Sequence, residues 1–237
     1  MSPMDYNFEK FYEKWVLISA LIHLLGLTLS LILGSPGIWI ALTVILFGTY
    51  LVKIIDHLPL LPLIYGYANW VSILRLLLVL TAFSLHQSIE DIYLFTIFAF
   101  SIILDGVDGF LARKFHHETP QGAILDMETD ALMVLILAYI HISNGQIHPW
   151  ILLPASFRYL YAWIILFTTN DQKKELVPKI VRATIAVFFF IALLIPFISD
   201  SLWMEVIVHT SGALIMLSFA SSYYFSLKQF LANRSSP

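Results

Sequence analysis

The sequence predicts an all-α, polytopic membrane protein, and three observations carry that prediction. Of its 237 residues, 59% are hydrophobic and 12% charged, with a mean hydropathy of +0.83, against about 25% charged residues in a typical soluble domain. The apolar residues gather into runs long enough to cross a bilayer as helix, at about 20 residues each. Runs such as Leu76-Leu77-Leu78-Val79-Leu80 lack the period-two alternation of a membrane barrel strand. Backbone groups in lipid must satisfy one another, and helices of this length do so.

The expected spans fall near 15–33, 37–55, 69–85, 91–112, 122–142, 149–169, 180–199 and 203–226, giving eight transmembrane helices. Met1 to Lys14 mixes acidic, basic and polar residues, so the first span is expected to stay in place as a helix, not to be cleaved as a signal. Gly34-Ser35-Pro36-Gly37 separates it from the second span. The Pro-rich break His57-Leu58-Pro59-Leu60-Leu61-Pro62 then divides an N-terminal helix pair, residues 1–62, from the remaining 63–237. Short polar breaks follow at His86 to Asp91, Phe115 to Thr119, Ser143-Asn144-Gly145 and Ser199 to Ser201.

Loop charges give an orientation, because short cytoplasmic loops carry the excess of Lys and Arg. Lys10, Lys14, Lys53, Arg113, Lys114, Lys173, Lys174, Lys179, Arg182, Lys228 and Arg234 all fall at alternate ends of the spans. The loops between, at His86 to Asp91, Ser143 to His148 and Ser199 to Ser201, contain neither Lys nor Arg. Both termini are therefore expected on the cytoplasmic side. Arg75 and Arg158 alone lie inside apolar runs, where a charge is costly and marks a candidate for function. Arg75 either serves a site or snorkels to the nearby interface; Arg158 sits deeper and is expected to face a cavity.

Composition also excludes. A formal net charge of −3 offers no basic face for nucleic acid. With no cysteine, disulfides, thiolate metal sites and Cys nucleophiles are ruled out, so a metal must sit on oxygen or imidazole. His23, His141 and His148 form no ligand constellation and read as polar groups at packing or interface positions. Trp15, Trp39, Trp70, Trp150 and Trp203 stand near helix ends, as an interfacial belt would.

Four aspartates are the costly feature. Asp105 and Asp108 are three residues apart and Asp126 and Asp130 four apart, so each pair shares a helix face. Counted from the middle of the intervening loop, both pairs reach similar depths in an antiparallel hairpin rising about 1.5 Å per residue. Carboxylates gathered in a poorly solvated place need compensating positive charge, since repulsion and desolvation both disfavour ionisation. Arg113 alone is too little. Mg²⁺ or Mn²⁺, hard cations with oxygen ligands, are the natural partners, and two of them would suit a site that also binds phosphates. A cation or proton pathway uses intramembrane carboxylates too, and spacing alone leaves enzyme and transporter open. Gly109 and Gly122 stand beside the acids, where a phosphate could approach the backbone or two helices could pack closely. Arg113 can hold a phosphate bidentately or mark the cytoplasmic side.

Taken together, Asp105-Gly-Val-Asp108-Gly109-Phe-Leu-Ala112-Arg113, eight further residues and Gly122-Ala-Ile-Leu-Asp126-Met-Glu-Thr-Asp130 resemble the signature of the CDP-alcohol phosphatidyltransferase family, D-x2-D-G-x2-A-R-x8-G-x3-D-x3-D. Every fixed position and spacing agrees, which chance would give in roughly one in tens of millions of chains this long. Asn69-Trp-Val-Ser-Ile-Leu-Arg75 also resembles the family's first-helix opening, more loosely.

The resemblance implies a six-helix, usually dimeric core over about residues 66–230, with the first two helices as an extra pair. It implies a two-metal centre of Mg²⁺ or Mn²⁺ on Asp105, Asp108, Asp126 and Asp130, with Asp130 as base on the acceptor hydroxyl. Asp105, Asp108, Gly109, Ala112, Arg113 and Gly122 would hold the CDP part of the donor. Asn69 and Arg75 are further candidates for donor binding. The implied reaction moves a phosphatidyl group from CDP-diacylglycerol to a polar alcohol such as glycerol phosphate, inositol or inositol phosphate, with release of CMP. Arg158, Lys179 and Arg182 are the cations available to a phosphorylated acceptor, although Lys179 and Arg182 also read as flank charges. Glu128 points about 160° away from Asp130 on a helix and is left out of the metal site, its role open and a dimer contact one reading. Two competing readings stand: a CDP-aminoalcohol:diacylglycerol phosphotransferase and a cation- or proton-coupled transporter.

Overall fold

The structure, a computed structural model, describes residues 3–57, 67–115, 120–159 and 179–234, and every regular element among them is helical. Helices α1 (Pro3–Leu33) and α2 (Gly37–His57) come first, then α3 (Tyr67–Leu85), α4 (Asp91–Phe115) and α5 (Pro120–Ser143). A 3₁₀ turn at Pro149–Ile151 opens α6, described over residues 152–159. Helix α7 (Lys179–Leu194) runs through a second 3₁₀ turn at Ile195–Phe197 towards α8 (Leu202–Arg234). The loop at 116–119 and most of the Pro-rich break lie outside the described residues.

The helix ends follow from local chemistry. Two glycines take up the left-handed backbone that closes a helix, Gly34 at φ 65° after α1 and Gly145 at φ 71° after α5. At the second, the amides of Gly145 and Gln146 return to the carbonyls of Ile142 and His141 at 3.0 and 2.9 Å, satisfying acceptors that the helix end leaves open. His148 accepts a hydrogen bond from the Trp150 amide and Pro149 supplies a fixed φ, which together start the 3₁₀ turn. Ser201 performs the same service before α8, accepting from the Met204 amide.

Helix α5 is the axis of the fold. Residues 131–138 and Ile140 are all buried, so this stretch is apolar on every side, as a helix wholly surrounded by others must be. Helices α2, α3 and α7 pack against it, while α1 lies along α2, α3 along α4 and α8 along α7. His141 ties α5 to α7 through the Leu193 carbonyl at 2.8 Å, its other ring nitrogen meeting Gln146 Oε1 at 2.7 Å. His23 stitches α1 to α2 by accepting from Trp39 Nε1 at 3.0 Å.

The histidines therefore sit at packing positions, as the sequence suggests. The tryptophans divide. Trp70 and Trp203 lie at the surface, but Trp39 is 1% exposed, Trp15 is buried with it, and Trp150 hydrogen-bonds His209. Proximity to a helix end does not separate an interfacial ring from one with a buried hydrogen-bond acceptor beside it, so the belt reading fails for Trp15 and Trp39. Two helical stretches, Ile180–Phe197 and Leu202–Ser221, are long and apolar enough to cross a membrane.

Candidate active site

Among the described residues, three acids meet on one arginine. Helix α3 packs along α4 and against α5 and inserts Arg75, which is fully buried, between them. Arg75 Nη1 lies 2.7 Å from Asp105 Oδ1 of α4 and 2.6 Å from Asp126 Oδ1 of α5. Its Nη2 donates to Asp130, one turn further along α5. The planar fork of a guanidinium serves two directions at once, which an ammonium could not do from one position. Arg75 thus turns inward to the acids and does not snorkel.

One oxygen from each of Asp105, Asp126 and Asp130 falls within 4.8 Å of the others. Their side chains remain 41, 38 and 32% exposed, so the cluster opens on one side even though its arginine is enclosed. Among the described residues, three carboxylates against one guanidinium leave negative charge in excess. Oxygen donors this close, with surplus charge and an open side, fit a hard divalent cation such as Mg²⁺ or Mn²⁺.

The backbone of Asp108, Gly109, Ala112 and Arg113 belongs to the last turns of α4, that of Gly122 to the first turn of α5 and that of Asn69 to the first turn of α3. Their side chains, and that of Lys179, lie outside the described residues. Arg182 is half-buried near the start of α7.

Arg158 goes elsewhere. From α6 its Nη1 donates to the Met127 carbonyl at 2.7 Å and its Nη2 to Glu128 Oε1 at 3.0 Å, so it meets α5 on the face turned away from Asp126 and Asp130. Sequence reasoning set Glu128 aside from the metal site but did not find this partner. The sequence offered Arg158 to a phosphorylated acceptor and left the role of Glu128 open; the available signal was that both charges lie inside apolar runs, where an acid and a base tend to pair.

The chain is 34% identical over 91 residues to the CDP-diacylglycerol–glycerol-3-phosphate 3-phosphatidyltransferase of Pseudomonas fluorescens, covering 37% of this chain and 46% of that protein. The enzyme of the same name from Cereibacter sphaeroides is 34% identical over 71 residues, 30% of this chain and 32% of its own. CDP-diacylglycerol–inositol 3-phosphatidyltransferase 1 of Arabidopsis thaliana is 38% identical over 77 residues, 31% of this chain and 34% of its own. The chain thus spans less than half the length of these relatives. No solved structure matches it. The family model for CDP-alcohol phosphatidyltransferases matches residues 65–222, a segment that holds α3, Arg75 and all four aspartates and leaves α1 and α2 outside. The chain belongs to the CDP-alcohol phosphatidyltransferase family.

Proposed function

We propose that this protein is a membrane-embedded enzyme that transfers a phosphatidyl group from CDP-diacylglycerol to the hydroxyl of a polar alcohol and releases CMP. The observation that carries the reading is the convergence of Asp105, Asp126 and Asp130 within 4.8 Å, inside a segment matched by the family model. The named relatives use glycerol 3-phosphate or inositol, which makes these two the first acceptors to try.

Asp105, Asp126 and Asp130, with Asp108 from the same turn of α4, would hold Mg²⁺ or Mn²⁺ in a two-metal centre. Such a cation, when bound, neutralises a pyrophosphate and stabilises the charge on departing CMP. The chain's own residues do the rest. Asp130 takes the proton from the acceptor hydroxyl as the alcohol oxygen bonds to phosphorus and the bond from phosphorus to the CMP oxygen breaks. Gly109, Ala112, Arg113 and Gly122 line the place for the CDP moiety. Arg75, held at the acids, supplies positive charge between their carboxylates.

Exposed apolar side chains on α1, α2, α3, α7 and α8 support the membrane reading. Ile32, Ile45, Leu77, Ile180 and Leu217 are each more than half exposed, as side chains facing lipid would be. The alternation of Lys and Arg between loops favours a multi-pass topology with both termini and the active site on the cytoplasmic side. A donor with two acyl chains would then enter from the bilayer while its nucleotide meets the cytosol. A homodimer is the expected assembly.

The test is CMP release by purified protein given CDP-diacylglycerol, Mg²⁺ or Mn²⁺, and separately glycerol 3-phosphate, inositol or inositol phosphate. We expect metal-dependent CMP with one acceptor. A parallel arm with a CDP-aminoalcohol and diacylglycerol covers the reverse assignment of donor. Cation uptake into vesicles without CMP in any arm would replace the enzyme by a transporter.

A further inference from the structure

The back of α5 carries a second buried polar assembly, and it joins the catalytic core to the helix pair that the family model leaves out. Glu128, 7% exposed, pairs with Arg158 of α6. Around this ion pair the two N-terminal helices close an aromatic cover. The cavity beside the carboxylate is lined by Trp15, Ser19 and His23 of α1, Tyr50 of α2, Glu128 and Tyr159. Tyr12 of α1 stands beside Arg158 in the adjoining cavity. The His23 ring stacks on Tyr159 at 3.8 Å between centroids, and the Trp15 ring lies against Tyr50 at 5.0 Å, tilted by 39°. His23 Nε2 and the Tyr50 hydroxyl are buried polar atoms on residues that line this cavity.

Placement makes the assembly consequential. Glu128 lies midway along the chain between Asp126 and Asp130, so any rotation or shift of α5 that moved Glu128 would move both acids with it. An ion pair in poor solvent demands good geometry, because a carboxylate separated from its partner there is strongly penalised. The pair therefore fixes the rotation of this turn of α5 more firmly than apolar packing, which tolerates sliding.

We propose that α1 and α2 act as a positioning element of the catalytic unit, holding Asp126 and Asp130 in register through the covered Glu128–Arg158 pair. Glu128 and Arg158 are positioning residues here, and Arg158 is withdrawn from acceptor binding. The proposal rests on the reading of Asp126 and Asp130 as metal ligands given above.

Four variants of the full-length protein, Glu128→Gln, His23→Ala, Arg158→Met and the double Glu128→Gln/Arg158→Met, test it by Mn²⁺ titration, thermal unfolding in detergent and CMP release. Glu128→Gln is expected to weaken Mn²⁺ binding about threefold to tenfold, in the manner of groups that orient metal ligands. His23→Ala, on a helix that carries no aspartate of the cluster, should weaken it in the same direction by about twofold to threefold. The double variant should recover part of the loss, since removing both charges relieves the buried one left behind. Release of CMP should fall in kcat with the acceptor KM unchanged. Unaltered Mn²⁺ affinity in Glu128→Gln and His23→Ala, whatever their unfolding midpoints, would overturn the proposal. A raised acceptor KM alone in an Arg158→Met variant would return that arginine to the substrate. If wild-type protein binds Mn²⁺ through its aspartates yet releases no CMP, the enzyme reading fails while the Mn²⁺ arms still judge the positioning.

Discussion

Helix α5 carries charge on two faces, and the faces are built to opposite rules. On one, Asp126 and Asp130 join Asp105 around the single guanidinium of Arg75, with all three carboxylates about a third exposed or more. On the other, Glu128 meets Arg158 one to one beside aromatic rings, the carboxylate buried and the arginine side chain 23% exposed. A balanced, enclosed pair has no charge left for a ligand. Among the described residues, the unbalanced, open one has more carboxylates than cations, and that imbalance is the better guide to where chemistry happens than burial or ion-pair geometry taken alone. Both faces hold an arginine in hydrogen-bond contact with carboxylate, Arg75 fully buried and Arg158 partly exposed; among the described residues, stoichiometry separates them more sharply than the ion-pair contacts do.

The difference is broken most severely at Asp130. Replacing it by Asn keeps the shape and leaves Asp105 and Asp126 on Arg75, but removes the proton acceptor. CMP release should fall about a hundredfold to ten-thousandfold, the range typical of a lost general base. Unfolding in detergent should stay cooperative and Mn²⁺ should still bind, more weakly. Turnover within a few-fold of wild type would take Asp130 out of the mechanism.

Arg75 sharpens the comparison next. It sits where a cation would be welcome, so Arg75→Gln removes a positive charge that competes with or repels a divalent ion. Mn²⁺ affinity should rise about tenfold, equivalent to about 1.4 kcal/mol, an amount within the range of one charge-assisted hydrogen bond. Without metal, the same variant should unfold several degrees earlier, since three carboxylates then face one another with no counter-charge. Metal addition should recover much of that loss by linkage. Weaker Mn²⁺ binding would show that Arg75 organises the ligands more than it opposes the ion. Arg158→Gln, in contrast, should lower the midpoint without any gain in metal affinity.

These two faces were unequally visible in the sequence, and the reason is range. The spacing of Asp105 and Asp108, and of Asp126 and Asp130, is local: helical period alone sets each pair on a face, and the loop length brings the faces to one depth. Gly34 and Gly145 likewise announce their turns by chemistry confined to a few residues. Arg75 is 51 residues from Asp126 and 55 from Asp130, and its own helix permitted either an inward or a snorkelling side chain. Only the packing of α3 against both α4 and α5 decides between them. Glu128 and Arg158, 30 residues apart, depended similarly on how α6 approaches α5. Trp39 went astray for a comparable reason: its neighbour His23, 16 residues earlier, gives its ring nitrogen a buried partner and removes the need for an interface. Charge count was the sequence-level clue that survived, since the apolar runs held more acids than bases.

The smallest expected effect isolates how firmly the N-terminal pair is built. A Cβ placed on Gly26 of α1 would fall 2.8 Å from Trp39 Cδ1 and 3.4 Å from Trp39 Cα, so the ring would have to shift and the backbone behind it limits its retreat. Gly26→Ala should therefore cost about 1 kcal/mol or somewhat more, the lower end for overpacking a well-filled contact, with the helix preference for Ala offsetting part of it. For a chain of this size that is about 2–4 °C in unfolding midpoint per kcal/mol. Because Trp39 Nε1 also holds His23 against α2, a displaced ring should loosen the stacking of His23 on Tyr159 slightly. Mn²⁺ affinity should change less than twofold, below the effect of His23→Ala. A Gly26→Ala protein that is more stable than wild type would mean that α1 and α2 do not approach this closely, and the stiffness assigned to the pair would then have to come from Tyr50 and Trp15 alone.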